Sequence, residues 1–198
     1  MKKNKKYYVI VLLGVLLTVF INKNVDAVSG NQGYAVYRDG AFGGLFWHAA
    51  IMNNPYSTSV DAVVHHSGKG YVQRDSWTKF IDGNSFKGTY RPKSTPSSAD
   101  RDLFVAMGRK LADDQISYNA AYEVYYNTST SGSWVNTNEI TSMRCDGVVE
   151  YIYEWYGYRV YGSDTYWDVT KVSFWGRDHH SGTAVTPEKQ ASYLTKVP

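Results

Sequence analysis

Between positions 44 and 77 the apolar residues come in short runs separated by turn signals. "GLFWHAAIM" (44–52) is short enough for one buried strand, and "NNP" (53–55) breaks it. "VDAVVHH" (60–66) is a second, valine-rich strand. "SGKG" (67–70) is a turn, and "YVQRDSW" (71–77) is the return strand. The spacing then changes. In "SADRDLFVAMGRKLADD" (98–114) Leu103, Phe104, Met107 and Leu111 recur at helical intervals, with Ser98 as N-cap. In "TSMRCDGVVEYIYEWYG" (141–157) Val148, Val149, Ile152 and Tyr156 do the same. Thr141 or Ser142 serves as its cap, and Gly157 stands where the helix stops. "YRVYG" and "TKVSFWGR" read as later strands, and "TPEKQASYL" (186–194) as a final short helix with Thr186 as cap and Pro187 in its first turn. "RPKSTPSSAD" (91–100) and "NTSTSGSWVNTNE" (127–139) read as loops. A β-rich stretch, two helices and a return to strands predict an α+β domain with an antiparallel sheet packed against helices.

The first 27 residues stand apart. Four lysines precede an apolar run over residues 9–21, and small residues follow up to Ala27. This order reads as a secretory signal peptide (1–27) rather than a retained anchor. The run is shorter than the ~20 residues of a spanning helix. The expectation is a secreted or cell-wall-associated domain over 28–198, with no stable membrane insertion after cleavage. The segment also changes the charge. The chain is formally +3, but residues 1–27 hold five lysines and one aspartate, so the remainder is −1. The basic balance belongs to the export signal and argues for no nucleic-acid partner. The chain holds 18 tyrosines. They fit β-structure first and a sugar- or peptide-binding surface second.

Cys145 is the one cysteine in the chain, so it has no disulfide partner within the molecule. In the first turn of a helix, its sulfur meets unpaired backbone N–H groups and a dipole that favours a thiolate. The same N–H groups can hold an oxyanion. Arg144 either adds positive charge there or points to solvent. The competing reading is a small, buried and inert residue. A cysteine nucleophile needs a base and a group that orients it. His48 sits inside an apolar strand and must meet a partner. Strand alternation lets only one of His65 and His66 share its side, and leaves open which. His179 and His180 lie in a polar turn. A metal site made from the two His-His pairs lacks a carboxylate or cysteine at a familiar ligand spacing.

The succession "FWHAAIM", "AVVHHSGKGYVQRDSW", "ISYNAAY", "RCDGVVEYIYE" resembles the circularly permuted branch of the NlpC-like, papain-related cysteine hydrolases. That branch includes the YiiX/YebB/YycO-like proteins and, more distantly, the lecithin retinol acyltransferase group. Its histidine precedes its cysteine, as here. The resemblance spans about residues 33–198, and its weight lies in the order of short motifs. It implies a papain-like single domain with Cys145 as nucleophile at a helix N-terminus and His48 as base. His65 then orients His48, with His66 as the alternative, and Tyr118 lines the pocket or the oxyanion site. It implies no metal or organic cofactor. The expected substrate is a peptide or other amide, with cell-wall peptidoglycan preferred because of the export signal. A lipid or other acyl amide, acyl transfer, and a non-catalytic binding module are the alternatives.

Overall fold

The structure is a computed structural model that describes residues 31–54, 60–126, 135–160 and 186–198. The expected signal peptide (1–27), residues 127–134, "TKVSFWGR", His179 and His180 lie outside the described residues. In chain order the elements are β1 (Ala35–Ala41), β2 (Phe46–Met52), β3 (Val63–His66), β4 (Val72–Asp75), α1 (Trp77–Ile81), β5 (Phe86–Arg91) and α2 (Ser98–Asp113). Then follow β6 (Ser117–Tyr118), β7 (Val124–Tyr126), β8 (Ile140–Met143), α3 (Cys145–Trp155), α4 (Pro187–Tyr193) and β9 (Thr195–Lys196).

Six strands pair in the order β4-β3-β2-β1-β5-β9, and every pairing is antiparallel. A small sheet, β6-β8-β7, stands beside it, with β6 parallel to β8. The expected α+β class with an antiparallel sheet against helices is what the chain adopts. Alternation along the strands sorts their side chains onto two faces. Ala49, Ile51 and Val64 pack with Phe104 and Leu111 of α2, Val148, Val149 and Ile152 of α3, and Ala191 of α4. Val36, Ala50, Met52 and Val63 pack under Phe80 of α1 on the other face. α3 is buried nearly all round, Tyr151 and Tyr153 included, and with them the carboxylates of Asp146, Glu150 and Glu154.

The element boundaries differ from expectation where capping or pairing competes. Ser97, not Ser98, caps α2: its hydroxyl accepts from Asp100 N–H, and the Asp100 carboxylate accepts from Ser97 N–H. This is a reciprocal capping box. Leu103 on that helix faces solvent at 44% exposure, while Val105 and Gly108 turn inward instead. The return strand after the "SGKG" turn ends at Asp75, because Ser76 accepts from Lys79 N–H and starts α1. Thr141 and Ser142 do not cap α3. They are held in β8 by pairing with β6 and β7, so the helix starts only after Arg144. Residues 158–160, the described part of "YRVYG", are not a strand. The final helix is as expected, with Thr186 accepting from Lys189 N–H and Pro187 in the first turn.

Candidate active site

Cys145 is the first residue of α3, and three contacts fix that helix start. Arg144 N–H donates to the Glu123 carbonyl at 2.9 Å. The Arg144 guanidinium donates twice to the Asp146 carboxylate, at 2.9 and 2.6 Å, and both residues are buried. Gly147 lets the helix lie against the neighbouring chain, since a Cβ there would stand 2.0 Å from the Glu123 oxygen. Arg144 therefore does not point to solvent, and its charge is matched by Asp146.

The thiol itself is buried. Desolvation, with Asp146 next, pushes it up to about 12, against smaller opposing effects from Ala49 N–H, Arg144 and Asp146 N–H. The depressed thiol expected from a helix N-terminus is not found, because burial outweighs the dipole. At neutral pH the resting group is a protonated thiol.

His48 and His65 form the first links of a buried chain of polar groups. His48 Nε2 and His65 Nδ1 are 2.6 Å apart. His65 Nε2 lies 2.9 Å from Asp75 Oδ2. Asp75 is secured in turn by Lys79 Nζ on Oδ1 at 2.6 Å and by Gln73 Nε2 on Oδ2. Burial opposes the charge of Asp75, but the hydrogen bonds from His65 and Lys79 prevail and hold its carboxyl at about 2. Burial keeps both imidazoles below their ordinary range. For His48 the neighbouring His65 and Arg38 add to it; for His65 the Asp75 carboxylate opposes it.

With Asp75 ionised and both rings neutral, one proton arrangement satisfies every contact. His65 Nε2–H donates to Asp75, so His65 Nδ1 accepts. His48 Nε2–H is then the donor to His65, and His48 Nδ1 keeps a free lone pair. The chain of bonds thus assigns the tautomer in which His48 can take a proton. His48 lines a cavity of about 270 Å³ together with Cys145, His66, Tyr118, Arg38 and Lys69. The thiol and His48 face this one space without a direct hydrogen bond among the described residues.

His66 goes the other way. Its ring packs on Tyr118 with centroids 5.0 Å apart, and its Nδ1 accepts from Gly68 N–H. Its Nε2 is buried without a hydrogen-bond partner. Burial, then His65, lowers it to about 4. Of the doublet, His65 meets His48 and His66 walls the cavity. Tyr118 lies beside Met143 across the parallel β6–β8 pair, which sets it next to the start of α3. Burial pushes its phenol up to about 12, so the O–H stays a donor.

Sequence reasoning missed Asp75, Gln73, Lys79 and Arg38. The signal for the first two was present. "SGKG" sets His65 opposite Gln73, and alternation then brings Asp75 to the same side. Arg38 faces His48 directly across the β1–β2 pair. Comparison of the chain with protein-family models, curated proteins and solved structures finds no match. Among the described residues no group of three His, Cys, Asp or Glu could hold a metal ion, and no helix is long and apolar enough to cross a membrane.

Proposed function

We propose that this protein is a papain-like cysteine hydrolase of the permuted NlpC-like arrangement, exported from the cell, that cleaves amide bonds through an acyl-enzyme. The observation that carries this reading is the polar chain Asp75–His65–His48 ending at the cavity that Cys145 also lines. A single inert cysteine has no need of a buried, three-residue array that fixes the proton on an adjacent imidazole.

The chemistry follows from the tautomer. His48 Nδ1 takes the Sγ proton as the sulfur attacks the carbonyl carbon, since the resting thiol is protonated and no prior ion pair is available. The oxyanion accepts hydrogen bonds from the Cys145 amide, one of the helix-start N–H groups without an intrahelical acceptor, and from the Tyr118 hydroxyl. The tetrahedral adduct collapses, the C–N bond breaks, and the amine leaves with the proton held by His48. His48, left neutral by that transfer to the amine, takes a proton from water as the water oxygen attacks the thioester; the second adduct collapses with cleavage of the C–S bond, the acid leaves, and His48 returns the proton to the Cys145 sulfur. His65 and Asp75 act through His48 and are positioning residues. Cell-wall peptide is the proposed substrate class, because the leader directs export and the chemistry suits peptide amides.

Purified cell-wall fragments incubated with wild type and with Cys145→Ala, and followed by mass spectrometry, test this. Expected are new amine- and carboxyl-terminated fragments with wild type alone. Fragments that persist with Cys145→Ala overturn the mechanism. A non-catalytic module has one observation in its favour, the buried protonated thiol. It predicts no turnover of any amide and no alkylation of the native protein.

A further inference from the structure

Four lysines stand along β5 and the α4–β9 end of the chain, and each lies over an aromatic ring. None of them lines the cavity. Lys87 Nζ is 5.8 Å from the centre of the Trp47 ring, and Lys196 Nζ is 5.8 Å from that of Tyr90. Lys93 and Lys189 share Tyr193, at 5.9 and 5.3 Å. Tyr37 links the first two rings, with its centroid 6.3 Å from Trp47 and 5.2 Å from Tyr90. Lys196 stands opposite Tyr90 across the β5–β9 pair, and its stem crosses β5 over Gly88. A Cβ at Gly88 would stand 2.6 Å from the Lys196 Cε, so the glycine leaves the room that brings Lys196 towards Lys87. From Lys87 to Lys93 is six residues, up to about 20 Å at ~3.3 Å each. Lys87 pairs with Asp39 at 2.8 Å. Lys93, Lys189 and Lys196 make no ion pair among the described residues. Glu188 precedes Lys189 in α4 and points about 100° away round the helix. Outside residues 1–27 the chain is net negative, so the row is a local feature and not bulk charge.

A ring face holds an ammonium group in place without neutralising it, whereas a carboxylate partner would cancel its outward charge. Two ammonium groups around one tyrosine also repel each other, a cost that an anion lying across both removes. Lys93 and Lys196 are exposed, so this fixed charge faces outward. Lysine is a point charge that suits phosphate and lacks the fork that matches a carboxylate. A single small anion would meet one or two of these groups, while a chain with repeating charges meets the whole row. The rings beneath are covered by their own lysines, and Tyr90 is buried, so they offer no platform for stacking bases. No large apolar side chain is exposed beside the lysines to enter a bilayer: Phe86, the nearest, turns to Trp77 on the α1 face. We propose that the β5–β9 edge binds a linear phosphate-bearing polyanion, recognised by its repeated charge and not by the groups between the charges. Such a surface holds an exported protein on an anionic matrix. It is separate from the cavity and does not depend on Cys145.

The test measures binding of the exported protein to long-chain inorganic polyphosphate, with tripolyphosphate at equal total phosphate beside it, over a salt series. The long chain should bind more tightly, and its affinity should fall with salt as counter-ions are released. Lys93→Gln, Lys189→Gln and Lys196→Gln should each weaken it by about fivefold. Each should also flatten the slope of log Kd against log salt by about one. Lys110→Gln is the control: it removes the same charge on α2, where Lys110 pairs with Asp114 at 2.9 Å, and should leave binding unchanged. Three independent single variants and the salt series keep the test decisive if one variant fails to fold. Cys145→Ala should bind as wild type does, so loss of the hydrolase reading leaves this result standing, and the reverse. No binding of the long chain, or equal affinity for tripolyphosphate, overturns the proposal. An equal loss in Lys110→Gln overturns it too, because bulk charge would then account for the binding. Tighter binding to vesicles of phosphatidylcholine and phosphatidylglycerol than to the chain makes the partner a lipid surface and overturns it as well.

Discussion

At the scale of single residues, the decisive quantity is where one proton sits. His48 works as a base only when Nδ1 is bare, and the bonds from His65 and Asp75 secure that. On the proposed mechanism His48→Ala removes the base, and it should lower kcat on an amide substrate by about 10²–10⁴-fold. Asp75→Asn should lower kcat with little change in KM, because Asp75 touches no substrate. Burial depresses His48, so it stays neutral as pH falls through its ordinary 6.5. The acid limb of kcat/KM should therefore lie below pH 6.5; a limb above 6.5 would exclude His48 in this environment as the base. How far this was legible follows from what each residue needs. Cys145 and His48 stand out in the sequence because each is chemically out of place among its neighbours. His65 and His66 are adjacent and chemically identical, so only the β3–β4 register separates them. Asp75 and Arg38 look like ordinary polar strand residues, and their roles exist only once neighbouring strands pair.

At the scale of elements, the start of α3 is the part under greatest constraint. Gly147 is there because the Glu123 carbonyl occupies the space of a side chain. A methyl group at that position forces the helix away from the segment entering β7. Gly147→Ala should destabilise by about 1–3 kcal/mol, the range for overpacking, read as a lower urea midpoint. It should also slow Cys145 alkylation in the fraction that remains folded, because the thiol moves with the helix. Unchanged stability and unchanged alkylation would mean that this contact is looser than the geometry indicates. Helix ends were legible only where a local side chain decides them, as Thr186 does for α4. At Thr141 and Ser142 a good capping residue lost to strand pairing with β6 and β7, a contact with partners distant in sequence. β1 and β5 were not singled out because "AVYRDGA" and "FKGTYR" show no clean alternation. Their pairing with β2, β9 and each other makes them strands.

At the scale of the whole molecule, three neutral histidines are folded into the interior: His48, His65 and His66 are each no more than 5% exposed. Burial lowers all three from 6.5, His66 to about 4. The unfolded chain binds protons at these sites near pH 6.5, while the folded protein resists them until lower pH. The unfolded state therefore holds more protons across that interval, and stability falls as pH falls. For His66 the loss should begin near pH 6.5 and continue to about 4, above the region where Asp75, held at about 2, starts to protonate, and His48 and His65 add to it in the same direction. The His66 part and the Asp75 part should thus be separable in urea midpoints measured across pH. The upper is that of His66. The lower belongs to Asp75 and runs from its ordinary 3.8 down to about 2. His66→Gln should shrink the upper limb without moving the lower, because His66 has no contact with Asp75. A midpoint that stays flat from pH 6.5 to 4 would mean that the histidines gain protons as readily folded as unfolded. The enclosed, neutral His48–His65 array on which the catalytic reading stands would then be absent in solution.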